Sequence, residues 1–297
     1  MAENSRIEWT DHTFNPWIGC TKVSPACHNC YAERDFDHRF GKAKWGPSGT
    51  RVVTSEANWD KPRAWNADAE KDGVRRRVFC ASLADVFEDW RGQMLDSNSE
   101  PLMFDKTPRS TIYPKRPRPA TMVDLRAALF QLIDETPWLD WLLLTKRPEN
   151  IMDMFPKTEL FRQHVWLGTS IENQEWADRR LHYLHDAKRY GMCGRTFVSA
   201  EPLVGPVVLQ GRRTEKAYNH LGDGGIDWVI TGGESGPDAR PCDPEWFRSL
   251  RDQCELSGTP FHFKQWGEFD EHQNRVGKKK AGRMLDGITH DGVPIGA

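Results

Sequence analysis

The sequence predicts an α/β protein built as a partial or complete parallel (β/α) barrel. Seven short apolar runs recur along the chain, at Phe14–Cys20, Arg77–Ser82, Trp141–Thr145, Val165–Ser170, Thr196–Ala200, Trp228–Thr231 and Pro260–Lys264. They are continuous rather than alternating, most plainly at Trp141-Leu142-Leu143-Leu144, which suits strands buried on both faces. Helical patterns lie between several of them, and alternating strands and helices give a parallel sheet. Roughly six or seven such units over ~250 residues favour a barrel over an open sheet.

The first strand, Phe14–Cys20, ends on a cysteine, and a helix is expected near Tyr31–Phe40. Thr121–Thr136 sets Leu125, Ala128, Leu129 and Leu132 at helical spacing. Asn173–Tyr190 does the same with Trp176, Arg180, Leu181 and Leu184, behind Asn173 as N-cap. Asp243–Leu256 opens Asp-Pro-Glu, with Asp243 as cap and Pro244 in the first helical position. Its apolar face is Trp246, Phe247, Leu250 and Cys254. Two stretches break the pattern. Residues 93–120 carry four prolines between Pro108 and Pro119, and Lys106, Arg109, Lys115, Arg116 and Arg118, with no acid after Asp105. They read as an inserted, extended basic loop. Residues 268–297 read as an irregular C-terminal segment, with Lys278, Lys279 and Lys280 inside Arg275–Arg283. Otherwise residues 1–297 form a single barrel domain. Both basic stretches suit solvated surface, or contact with a polyanion such as DNA.

Composition narrows the function classes. Hydrophobic residues make up 38% of 297, with 24 glycines besides, enough for a sizeable core. The formal charge of −2 excludes polyanion binding through bulk positive charge but not through a local patch. No apolar run approaches the ~18 residues of a membrane span, and Met1–Asp11 is polar, so neither a membrane partner nor a secretory signal is expected. Seven cysteines, an odd number, argue against a disulfide framework and for a reducing, cytoplasmic setting.

Three of the seven are clustered as Cys20-x6-Cys27-x2-Cys30. Three thiolates this close can wrap one soft metal centre. A structural zinc site needs a fourth ligand, such as His12, His28 or His38. An iron–sulfur cubane on three cysteines leaves one iron open to a small molecule, and the three-plus-one count favours that open site. Cys80 and Cys254 read as core thiols, and Cys193 lies in a turn. Cys242 reads as an ordinary thiol or as a hydrogen-atom donor.

The run Glu8-Trp9-Thr10, Asn15-Pro16-Trp17, Gly19-Cys20 and Cys27-His28-Asn29-Cys30-Tyr31-Ala32 resembles the phage Gp37/Gp68 family. That family is also known as a three-Cys-motif domain of unknown function, related to radical S-adenosylmethionine (SAM) enzymes. Further matching blocks are Ser82–Phe87, Leu144–Pro148, Gly168–Asn173, Ser199–Pro202, Gly232–Gly236 and Phe263–Gly267. The resemblance implies a partial barrel of the radical SAM type, with a [4Fe–4S] cluster on Cys20, Cys27 and Cys30. It also implies SAM at the open iron, an external electron donor, and hydrogen abstraction from a substrate. The first gap holds six residues where the commonest radical SAM motif has three. Asn29 stands where the usual aromatic precedes the last cysteine.

In a barrel, polar residues ending the strands converge on one mouth. Ser82 and Asp85 follow the second strand, where the resemblance implies contact with the methionine amino group. The usual Gly-Gly-Glu is missing there. The later Gly232-Gly233-Glu234 is not its equivalent, but Glu234 suits an amine or hydroxyl. Lys146 and Arg147 suit a substrate carboxylate or phosphate, or a salt bridge across the mouth. Thr169, Ser170 and Glu172 are candidates for ribose hydroxyls, beside Asn173. Glu201, Glu234 and Lys264 are the candidate catalytic residues, a Glu201–Lys264 ion pair being the structural alternative. Trp17, Trp45 and Trp266 are candidates for stacking on a base. The expected function is radical SAM modification of a nucleobase or DNA, for example isomerisation of an amino-acid-modified thymine. A metal-stabilised nucleic-acid-binding protein and a radical enzyme for a small metabolite are the alternatives.

Overall fold

The structure, a computed structural model, describes residues 3–104, 118–157 and 161–294. Lys106, Arg109, Lys115 and Arg116 of the basic loop lie outside them.

Seven strands form the main sheet: β1 His12–Phe14, β2 Arg76–Cys80, β3 Leu139–Thr145, β4 Val165–Ser170, β5 Arg195–Ala200, β6 Trp228–Gly232 and β7 Phe261–Gln265. Their order in space is their order in sequence, and every pairing is parallel. The sheet curls into half a barrel. Among the described strands, β1 and β7 do not pair, so the barrel is partial rather than complete.

Helices cover the outer face: α1 Glu56–Asp72, α2 Met122–Asp134, α3 Gln174–Arg189 and α4 Pro244–Ser257. The last two start where their caps predict, and α2 starts one residue inside the expected Thr121–Thr136. Thr121 and Asp124 close a capping box on α2. Asn173 Oδ1 accepts from Trp176 N at 3.2 Å on α3, and Asp243 Oδ1 accepts from Glu245 N at 2.9 Å on α4. Helix α1 follows Ser55, whose side chain makes no cap bond, and ends on Gly73 at φ +65°. Its buried stripe is Asn58, Pro62, Trp65 and Ala69, helical in spacing but half polar or helix-breaking in type.

The expected strand Phe14–Cys20 is divided in two. Asn15 is buried, and its Oδ1 accepts from Leu83 N at 2.8 Å while its carbonyl accepts from Thr54 Oγ1 at 2.8 Å. Pro16 follows with no N–H to offer a ladder. The chain therefore leaves β1 at Phe14 and re-pairs at Trp17–Ile18 in a small second sheet with Arg51–Val53 and Met94–Leu95. The start of the expected 93–120 loop thus belongs to that sheet. A two-strand stem, Met103–Phe104 with Arg118–Pro119, follows.

The inward face of the half-barrel is filled low down by Phe79, Leu142, Trp166, Phe197, Trp228 and Ile230. Trp9, ahead of β1, plugs the same space, its ring centroid 4.7 Å from Phe79 and 6.3 Å from Trp228. Residues 290–293 run antiparallel along the outer edge of β7 and cap its unpaired groups. Phe263 N donates to His290 O and Gly292 N to Phe261 O, both at 3.0 Å.

Gly168 makes that packing fit. A Cβ there would stand 2.3 Å from the Phe197 ring. Gly168→Val is expected to displace Phe197 and destabilise by about 1–3 kcal/mol, read as a lower midpoint in urea. His262 also faces inward, 1% exposed, with neither ring nitrogen hydrogen-bonded among the described residues. Burial and then Arg283 lower its pKa to about 4, against the opposing pull of Asp291. Because the unfolded chain binds that proton more readily, stability is full above about pH 6.5 and falls as pH drops toward 4. The expected loss is roughly 2–3 kcal/mol. Melting curves of wild type and His262→Leu across pH 7 to 4 check this, the variant losing less.

Candidate functional site

The C-terminal ends of the strands open on a cavity of about 530 Å³. This is the end of a parallel barrel where loops converge, and the volume suits a small-molecule ligand. Its floor is apolar, formed by Ile7, Trp9, Phe79 and Leu144. Above it stand the hydroxyl residues Ser170 and Ser199, paired in register on β4 and β5. Ser170 Oγ is buried with no hydrogen-bond partner among the described residues. Lys146, Glu201 and Lys264 form a charged tier. Cys20, Cys27 and Cys30 line the same cavity.

Each cysteine is placed by a local device. Gly19, at φ +113°, turns the chain out of Trp17–Ile18, where a Cβ would stand 2.4 Å from Thr50 O. Cys20 comes next. Pro25 starts a 3-10 turn that ends on Cys27. Cys30 caps Tyr31–Glu33, which runs on into the wider helical turns of Arg34–Arg39. Burial pushes the Cys20 thiol up to about 12, with Glu88 adding to the effect and Arg147 opposing it. Burial also raises Cys30, eased by the Glu33 backbone N–H. Both are therefore protonated as free thiols at neutral pH, and binding a metal would release their protons.

A buried ion network fixes Cys20. Arg51 Nε bonds Glu88 at 2.7 Å, with both side chains almost fully buried. Arg147 bonds Asp85 at 3.0 Å and Glu88 at 3.3 Å. It also donates to Thr21 O at 2.6 Å and reaches Cys20 Sγ at 3.6 Å. Asp85 accepts from Thr145 Oγ1 at 2.7 Å and from Lys146 N at 3.0 Å. Asp85 and Arg147 thus line the cavity but spend their polar atoms on joining loops.

Glu234 does similar work on the other side. Its carboxylate takes Arg240 Nε at 2.8 Å and Nη2 at 2.7 Å, and Asn29 Nδ2 at 3.1 Å. Burial pushes its pKa up, but the Arg240 bonds outweigh that and hold the group ionised. Asn29 lies between Cys27 and Cys30, so Glu234 fastens the cysteine loop to the end of β6. Lys264 Nζ bonds Glu201 Oε1 at 2.6 Å, and Gln265 Nε2 reaches the same oxygen at 3.3 Å. Ser82 lines the cavity and hydrogen-bonds Asn15 Nδ2 at 3.0 Å.

Two expected ligand residues are not brought to the cavity. Thr169 alternates outward from Ser170, and its Oγ1 donates to Thr145 O at 2.9 Å. Glu172 is fully buried, bonded to Arg180 at 2.9 Å and to Ala26 N at 3.3 Å, where it braces the turn that carries Cys27. Conversely, Ser199 and Trp9 were not expected in the site. Ser199 sits near the end of β5, two residues before Glu201, which follows that strand, so period-two alternation carries the signal for it.

Three thiols around one cavity are the donor type that an iron–sulfur cluster takes. Among the described residues, no three His, Cys, Asp or Glu side chains stand close enough to share one metal ion. A polynuclear cluster asks for something else: soft thiolates around one cavity, each on a different iron.

A model of a protein family of unknown function, DUF5131, matches residues 4–102 and 119–294. The chain belongs to that family. No curated protein and no solved structure matches it. In this DUF5131 chain every cavity residue named above falls inside the matched stretches. The Pro-rich stretch between them does not. No helix among the described residues is long and apolar enough to cross a membrane.

Proposed function

We propose that this DUF5131 protein is a radical SAM enzyme that modifies a nucleobase or DNA. What supports the reading above all is that three clustered cysteines line one cavity with a free lysine, two serines and a carboxylate, at the C-terminal mouth of a parallel half-barrel. Cys20, Cys27 and Cys30 would hold a [4Fe–4S] cluster. When bound, that cluster and SAM supply one-electron cleavage of SAM, and so a carbon radical able to take hydrogen from an unactivated position.

The chain's own residues bind and exclude. The Lys146 ammonium has no partner among the described residues and suits a carboxylate or phosphate. Ser170 and Ser199 suit hydroxyl or amide groups. Both contacts to Glu201 fall on Oε1, so Oε2 is left to an ammonium or hydroxyl of the ligand. The Trp9, Phe79 and Leu144 floor keeps water from a reactive intermediate. Isomerisation of an amino-acid-modified thymine fits such a site, since it moves a bond at an unactivated carbon.

Anaerobic reconstitution with iron and sulfide tests the reading. It should give about four irons per chain and a brown protein absorbing near ~400 nm. With SAM and a one-electron reductant, 5′-deoxyadenosine should form. Iron-loaded protein that releases none, with or without modified DNA, ends the radical reading.

A further inference from the structure

We infer that the cavity mouth docks single-stranded nucleic acid, with Lys278, Lys279 and Lys280 on its phosphates and Trp45 stacked on a base. The three lysines occupy the short helical turn Lys278–Ala281, and all are exposed. None of their ammonium groups has a hydrogen-bond or ion-pair partner among the described residues. A carboxylate of the same segment, Glu268, is instead turned to Gly236 N at 3.1 Å. Lys278 lines the cavity itself. Successive positions on a helical turn point ~100° apart, so the set spreads from the cavity wall over its rim. The overall charge of −2 makes this a local patch rather than a general property.

Trp45 supplies the second, independent observation. It is half-buried and lines the same cavity, and its ring makes no aromatic or cation contact among the described residues. Its backbone is pinned, with Trp45 N donating to Asp37 Oδ2 at 2.8 Å and Gly46 N to Cys20 O at 2.9 Å. A held indole with an unused face, beside unpaired cations, is how proteins bind single strands without reading sequence. Inside the cavity the free Lys146 suits the anionic group of the unit that enters. The cavity holds about 530 Å³ and is sunk between strand ends, so a base must leave any duplex to enter it.

This inference rests on the proposed function for the substrate class, but binding needs neither cluster nor SAM. The experiment is fluorescence anisotropy of a labelled oligo-dT of about 20 nucleotides, titrated with metal-free protein at stepped salt. Wild type should bind the single strand at least about tenfold more tightly than a duplex of equal length, with a log–log salt slope that K278A/K279A/K280A makes shallower by about 2. Trp45→Ala should weaken binding roughly tenfold, and Trp45→Phe should restore most of it. R212A/R213A, which removes two exposed cations elsewhere, should change nothing. Thermal melts confirm that each variant is folded. Equal loss in R212A/R213A, no loss in the lysine variant, or equal affinity for duplex overturns the inference. Binding as described without SAM cleavage would sustain this surface and remove only the radical chemistry.

Discussion

Cys20→Ala, Cys27→Ala and Cys30→Ala are each expected to drop bound iron from about four to below one per chain and to abolish SAM cleavage. The three thiols are not redundant, because each comes from a different local element: a glycine turn, a 3-10 turn and a helix cap. Among the described residues, the cavity lining holds no histidine and no further cysteine to replace one. The controls are Cys80→Ala and Cys254→Ala. Both thiols are fully buried in the apolar core, and burial holds them protonated, Cys254 at about 12. Those variants should lose about 1 kcal/mol of stability to a small void and keep their iron. Iron assay and deoxyadenosine release read both sets. Full iron in all three loop variants would remove the cluster from this site.

Glu88→Ala is expected to cost about 3–5 kcal/mol in urea denaturation, the largest stability loss of any single substitution considered. Its carboxylate faces two arginines. Arg51 is fully buried and bonds it through Nε and Nη2, and Arg147 bonds it at 3.3 Å. Removing the acid strands Arg51 in low dielectric, whereas Arg147 keeps Asp85 at 3.0 Å, and the Arg51 desolvation is the penalty. Arg51 keeps only Thr21 Oγ1, Thr50 O and the face of Trp90 at 4.0 Å. Arg51→Met combined with Glu88→Leu should recover much of the loss, since apolar residues of similar volume replace the pair. A Glu88→Ala protein as stable as wild type would show that water reaches Arg51 readily. Cluster loading should fall alongside stability, because the network sets the position of Cys20 and Thr21.

Much of this architecture is legible in the sequence because buried parallel strands must be apolar throughout. Trp141–Thr145 and Val165–Ser170 announce themselves in that way, and caps such as Asn173 and Asp243 mark helix starts within a residue. Asn15-Pro16 breaks the first strand through side-chain bonds to Leu83 and Thr54, partners that no local pattern reveals. Helix α1 hides for a related reason: Asn58 is buried because it bonds Thr54 Oγ1 at 2.9 Å, so its polarity misreports its place. In the site, Cys20, Cys27, Cys30, Lys146, Ser170, Glu201 and Lys264 are brought together at one cavity. Thr169 and Glu172 lie within two residues of Ser170 in sequence yet face elsewhere, because strand alternation and a helix partner, Arg180, decide where they point. Arg51 and Glu88 carry no signal at all, since a buried pair 37 residues apart looks in sequence like two surface charges.

The Trp9 plug has a kinetic meaning. With Trp9 wedged among Phe79, Trp228 and the lower ring of aromatics, the half-barrel is a dead end. Under the proposed function, a ligand that lodges deepest, on the Trp9 floor below Ser170 and Ser199, arrives before anything settles above it and departs after it.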